Sequence, residues 1–228
     1  MEGFSVCYTG GVAIEKELNA LLMKDNAQNA TMLQRIGGRL PANFPQHVLE
    51  DLKVRTLMTL RRNQKSDYFV SEENVARMKS KRVLPGLGKT FKEDFPYLCI
   101  SFYSRVTAME ACYGDPDEEE PNLAYSLCQS LLKMTHENRL RSAQNVMLVG
   151  GSTMIPGFRK RLIQEVKAMI SERNEFEPLR SILQWLKVPE MIFAPNICSW
   201  VGASVLMSLG QEADRFLLTR EQYMSEGQ

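Results

Sequence analysis

An α/β fold is the architecture this sequence predicts, and two apolar runs with the helix between them carry the prediction. Val146, Met147, Leu148 and Val149 form a short continuous apolar run, the pattern of a strand buried on both faces of a parallel sheet. The run stops at Gly150 and Gly151. After Pro156 and Gly157 a helix is predicted, with Phe158, Leu162, Val166, Met169 and Ile170 recurring at three- and four-residue steps and Arg159, Lys160, Glu165 and Lys167 facing outward. Met191, Ile192 and Phe193 supply the next buried strand. A chain of 228 residues, 44% of them hydrophobic, is long enough for one large or two small domains around such a sheet.

Composition narrows the function classes. A formal charge of +1 gives no global field to recruit nucleic acid or an anionic membrane. No segment holds the roughly eighteen uninterrupted apolar residues that a bilayer span requires. No basic region followed by an apolar core opens the chain, so a cytosolic location is expected. Cys7, Cys99, Cys112, Cys128 and Cys198 are odd in number, scattered and without a CxxC pair. Reduced, mostly buried thiols are expected, with neither a disulfide framework nor a zinc site.

Taken in order, Thr9, Gly10 and Gly11 lead into a first helix with Val12, Ile14, Leu18, Leu21 and Leu22 apolar and Glu15, Lys16 and Glu17 exposed. Residues 25–44 are polar, with Gly37, Gly38 and Pro41 as breakers, and lead toward a smaller inserted subdomain. A helix is predicted over 47–60, where Val48, Leu52, Arg55 and Thr56 share a face and Glu50 and Asp51 lie early, where the dipole favours carboxylates. The stretch 61–92 is the most basic. Few aromatics interleave with its charges, so a solvated face of a small subdomain is preferred over a nucleic-acid patch. Gly86-Leu87-Gly88-Lys89-Thr90 ends like a P-loop, yet Val83 stands where the first glycine belongs and no buried strand precedes it.

Residues 95–113 are compatible with a helix through Ile100, Tyr103, Val106 and Met109. The acidic loop 114–121 reads as solvent-facing, because hard-cation sites need ligands converging from fixed turns, and its place suits the positive end of a helix over 122–134. Two readings exist for Gly150 and Gly151. Backbone N–H groups at the carboxyl end of a strand can hold an anion or a nucleotide edge, or the glycines can let the helix pack closely on the sheet. For a lone glycine pair, packing is preferred. Residues 171–189 form a connector of mixed polarity that contains Trp185. His47 and His136 are isolated and support neither a catalytic triad nor a metal site.

The residues also carry a resemblance. The run 130–157 is similar to the adenine-side segment of actin and the actin-related proteins. Lys133, Arg139 and Asn145 lead into the apolar run, followed by Gly150, Gly151, Ser152, Thr153 and Met154, then Pro156 and Gly157, without a gap. Glu2 and Gly3 resemble the family's hairpin turn. Trp200, Val201, Gly202 and Ala203 resemble its Trp-Ile-Gly-Gly helix, and Thr219, Arg220, Tyr223 and Gly227 its closing segment. The strings at 48–56 and 196–205 and the acidic loop are most similar to the divergent actin-related proteins at the pointed end of the dynactin filament.

What the resemblance implies is the second half of an actin-like fold, of the ribonuclease H-like type shared with heat-shock ATPases, with a small, mostly helical insertion. The implied blocks are 1–40 and 96–198 for the larger α/β subdomain, 41–95 for the insertion, and 199–228 for helices that pack on a first half. The family's phosphate- and cation-binding hairpins have no counterpart among these residues, so no catalytic residue, no metal site and no enzyme activity are expected. Gly150, Gly151, Ser152, Met154 and Lys53 would form a vestigial adenine-side cleft, with no cofactor expected beyond residual ATP or ADP binding in a longer form. Three departures weaken even that. Val54 replaces a ribose-binding glutamate, Ile155 an adenine-stacking aromatic, and the loop at Asn196, Ile197 and Cys198 is short and lacks a basic residue. Implied partners are another actin-related protein and the pointed-end subunits of dynactin, with dynein and cargo adaptors engaged indirectly and no nucleic acid or membrane insertion. The implied setting is cytoplasm and cytoskeleton. A truncated ATP-binding member of the superfamily and a nuclear chromatin-remodelling subunit are the alternatives. With no first half to cover them, Trp200, Val205, Leu206, Phe216 and Leu217 are expected to expose an apolar patch and to lower solubility.

Overall fold

The structure, a computed structural model, describes residues 3–7, 9–35, 41–63, 81–85, 97–114, 121–210 and 217–226. Helix α1 (Gly11–Gln28) buries Ile14, Leu18, Leu21 and Leu22. Its first turns reverse two expectations, for Val12 is exposed and Glu15 is buried. After α2 (Ala30–Arg35), helix α3 (Gln46–Thr56) lays Val48, Leu49 and Leu52 on the same core. It ends short of the expected 60 because partners outside the helix take the next backbone groups. Met58 N–H donates to Arg105 O at 3.3 Å and Thr59 N–H to Pro156 O at 2.8 Å.

The described sheet has two strands. Strand β1 (Lys81–Pro85) runs antiparallel to β2 (Tyr97–Ser101), with Lys81 opposite Ser101 and Pro85 opposite Tyr97. A helix had been the expectation from 95 onward. Its first part is a strand because both edges of β2 find partners. One edge pairs with β1, and on the other the Asn26 amide of α1 donates to Cys99 O at 3.0 Å and accepts from Cys99 N–H at 3.0 Å. Asp25 Oδ2 accepts from Ser101 N–H at 2.8 Å. Ser101 Oγ then caps helix α4 (Phe102–Thr107) through Ser104 N–H, and a 3₁₀ turn (Ala108–Cys112) follows.

Helix α5 (Leu123–Leu132) begins at Asn122, whose side chain accepts from Tyr125 N–H at 2.8 Å and donates to Gly114 O at 2.8 Å. Helix α6 (His136–Gln144) precedes the apolar run, and α7 (Phe158–Glu172) buries Phe158, Leu162, Val166, Met169 and Ile170, the positions the sequence singles out. The connector expected at 171–189 is a long 3₁₀ helix (Asn174–Trp185). Phe176, Leu179 and Ile182 recur at intervals of three and are buried, which is the period of 3₁₀ geometry. Helices α8 (Cys198–Met207) and α9 (Arg220–Glu226) close the chain, and α8 buries no residue. One core cluster runs from Ile14 to Leu186.

Neither apolar run forms a strand in a parallel sheet among the described residues. Val146 N–H donates to Lys187 O at 3.1 Å and Gly150 N–H to Pro195 O at 2.9 Å, which leaves the segment extended beside 187–195. Met147 and Val149 are exposed while Val146 and Leu148 are half-buried, so the run alternates instead of being covered on both faces. Cavities of about 340 Å³ and about 250 Å³ open beside it. Ile192, expected in a buried strand, is 95% exposed. The acidic residues 115–120, the sequence 86–90, most of the basic stretch and Phe216 lie outside the described residues.

Candidate functional site

Two glycine pairs lie close to one another, Gly11 meeting Ser152 beside the second pair. Gly10 and Gly11 start α1, and Gly150 and Gly151 lead into a 3₁₀ turn (Gly151–Met154). Gly150 has φ +105° and ψ 157°, a conformation effectively reserved for glycine. A Cβ built on Gly10, Gly150 or Gly151 meets nothing within 4 Å, so these glycines border open space and not a tight helix contact. Close packing falls instead to Gly157. Its φ is +89°, and a Cβ there would lie 2.2 Å from Thr59 O.

Gly11 is the meeting point of three elements. A Cβ on it would stand 3.3 Å from Lys53 Nζ of α3 and 3.4 Å from Ser152 Oγ of the glycine turn. The structure therefore brings Lys53, Ser152 and both glycine pairs together. The Lys53 ammonium donates to Glu15 Oε1, and the pair is largely covered, with side chains 14% and 11% exposed. Glu15 was expected on the solvent face. It turns inward because Gly11, one helical turn earlier on the same face, leaves a lane for the lysine.

The remaining positions scatter. Met154 is exposed, whereas Ile155 is turned into the core. Val54 points to solvent. Thr153 Oγ1 donates to Gly150 O at 2.8 Å and closes the turn. Lys133 and Arg139, which help carry the family resemblance, serve backbone carbonyls. Lys133 Nζ donates to Phe4 O at 2.8 Å, and the Arg139 guanidinium donates to Leu131 O, Leu132 O, Met134 O and Pro178 O. Arg139 thereby adds donors to carbonyls in and just after the last turn of α5, where Leu131 O also accepts from Met134 N–H.

Away from these glycines lies a cation the sequence reading missed. Arg161 is 1% exposed. It donates to Glu165 at 2.5 Å, Leu60 O at 2.9 Å and Glu110 at 3.1 Å, and stands 5.1 Å from the Tyr113 ring centroid. Glu165, expected to face outward, is drawn in by Arg161 and by Arg62 at 3.5 Å. The signal was present. Arg161 falls three residues after Phe158 and next to Leu162, on the inner stripe of α7.

Nucleophile chemistry finds no support in the buried groups. Burial pushes the Cys112 thiol up to about 12, with Cys7 and Glu110 adding to the effect, and burial with Glu175 pushes Cys128 up to about 12. Burial also raises the Tyr113 phenol. These groups stay protonated at neutral pH, the reverse of an activated thiolate. Among the described residues, no three His, Cys, Asp or Glu side chains are grouped to hold a metal, and no helix is long and apolar enough to cross a membrane.

The family model described as Actin matches residues 105–228, which include the glycine turn and α5 to α9 but neither Glu15 nor Lys53. Actin-related protein 10 of Dictyostelium discoideum is 34% identical over 113 residues, 47% of this chain and 23% of that protein. Centractin of Schizosaccharomyces pombe is 28% identical over 130 residues, covering 53% of this chain and 31% of that protein. Actin-related protein 2 of Arabidopsis thaliana is 28% identical over 131 residues, or 54% of this chain and 32% of its own length. The chain thus spans less than a third of the length of each of these relatives.

Proposed function

This chain belongs to the actin family, and from that premise we propose that it is a non-catalytic, structural actin-related protein that acts through interfaces. The specific assignment is to the pointed-end complex of dynactin, where it supports dynein-driven transport along microtubules in the cytoplasm. Its partners there are another actin-related protein and the other pointed-end subunits, with dynein and cargo adaptors engaged through them. Similarity to an actin-related protein 10 supports the assignment.

The observation that carries an interface role is the surface of α8 and the segment after it. Trp200 is 72% exposed, and Val205, Met207, Leu209, Leu217 and Leu218 are exposed beside it in the chain. Exposed apolar surface concentrated in one region is characteristic of surfaces that meet another protein. Trp200, Val205 and Leu217 are exposed as the sequence predicts, and Leu206 is half-buried. Support for a non-catalytic reading comes from the cleft, where Lys53 is paired with Glu15 and Ile155 faces the core.

The test is affinity purification of the tagged chain from its own cells, followed by mass spectrometry. Recovery of dynactin pointed-end subunits with the short actin-related filament is the expected result. Chromatin-remodelling subunits in their place would overturn the assignment and move the protein to the nucleus. In parallel, the purified chain is expected to release no phosphate from ATP above buffer; turnover that Lys53→Met abolishes would refute the non-catalytic reading.

A further inference from the structure

A lysine beside glycines whose backbone borders open space is ordinarily a group that draws a phosphate or carboxylate ligand. Here that cation already holds an anion from its own chain. Lys53 of α3 reaches across the bare face of Gly11 to Glu15 of α1, and Ser152 Oγ stands at the same point from the glycine turn. We propose that Glu15 is the specificity determinant here: a tethered carboxylate that occupies Lys53 and closes the site to phosphate-bearing ligands.

Three observations support the assignment. First, both side chains are mostly covered, so an incoming anion has to strip Glu15 away and leave a carboxylate with little solvent around it. Second, Glu15 competes as a tethered group, and short tethers give effective concentrations on the order of millimolar or higher, above the reach of a weak free anion. Third, the two cations that precede the glycine turn in the chain are engaged elsewhere, Lys133 with Phe4 O and Arg139 with four backbone carbonyls. Gly11 is part of the device, since any side chain there would meet the lysine at 3.3 Å. The proposal rests on the non-catalytic reading above and names the residue that enforces it at this site.

The experiment uses the full chain and a fluorescent ATP analogue, with inorganic pyrophosphate as competitor. Wild type is expected to bind only at millimolar probe. Glu15→Gln should tighten binding by roughly tenfold or more, the tethered competitor having lost its charge, and Glu15→Gln with Lys53→Met should return it to the wild-type level. No gain from Glu15→Gln in a protein with an unchanged melt overturns the proposal, as does micromolar binding by wild type that Lys53→Met abolishes. Should the variant fail to fold, amine labelling of wild type decides. Lys53 is expected to react about tenfold or more slowly than the exposed Lys16 and Lys160, because its ammonium is held in a covered ion pair; equal rates overturn the latch. Neither readout depends on which complex the tagged chain recovers, so this proposal and the dynactin assignment fail independently.

Discussion

Three glycines separate what the backbone requires from what packing requires. Gly157→Ala meets both penalties, a left-handed φ and an oxygen at 2.2 Å. It is expected to cost at least about 2–3 kcal/mol in urea unfolding. Gly150→Ala meets only the backbone penalty and should cost about 1–3 kcal/mol. Gly151→Ala faces open space without a positive φ and should stay within about 0.5 kcal/mol of wild type. A different order in measured midpoints would show that the turn is built otherwise. Arg161→Met takes a buried guanidinium away from Glu110, Glu165 and Leu60 O, and a loss of about 3–5 kcal/mol is expected. Two thiols give a pH signature. Cys112 and Cys128 are raised from 9.0 to about 12 in the folded chain. Between these values the folded state binds more protons than the unfolded state, so their contribution to stability is full below about pH 9 and declines as pH rises toward 12. Replacing both by Ala should flatten that decline in an alkaline denaturation series.

At the scale of elements, legibility followed the range of the interactions that form each one. Helix α7 and the core face of α1 repeat every three to four residues, and periodicity alone places them. Helix α5 announces its start through Asn122, a local cap. Strand β2 was not legible, because its identity rests on β1 and on Asn26, 73 residues from Cys99. Asn26→Ala removes both bonds to Cys99 and the one to Leu22 O, so a loss of about 2–4 kcal/mol is expected, with faster amide exchange at Cys99. The helix Asn174–Trp185 could have been read, since Phe176, Leu179 and Ile182 advertise a period of three. Templates of two and 3.6 residues pass over it. The candidate site was half legible. Its glycines, Ser152 and Lys53 stand in the sequence, but Glu15 lies 38 residues from its partner in a run with Lys16 and Glu17 that looks solvated.

For the molecule as a whole, cohesion and surface chemistry are divided along the chain. The core is built between Ile14 and Leu186, and α8 contributes nothing to it. Trp200→Asp is therefore expected to leave the thermal midpoint nearly unchanged while abolishing recovery of partners with the tagged chain. A matching fall in both would mean that Trp200 is part of the folded core. The isolated chain should also bind a hydrophobic dye and show Trp fluorescence open to acrylamide; a quenching-resistant emission would contradict the exposure of Trp200.

The bridge from Asn122 to Gly114 has an engineering consequence. It fastens the two ends of the acidic loop at 2.8 Å, on the same side chain that starts α5. Gly114 and Asn122 are thereby held together, and each doubling of a closed loop's length costs only about 0.6 kcal/mol. Added length between these two anchors is thus expected to be carried at little cost, because helix α5 keeps both its cap and its tie to Gly114; a fall of more than about 1 kcal/mol in urea unfolding on doubling the stretch would show otherwise.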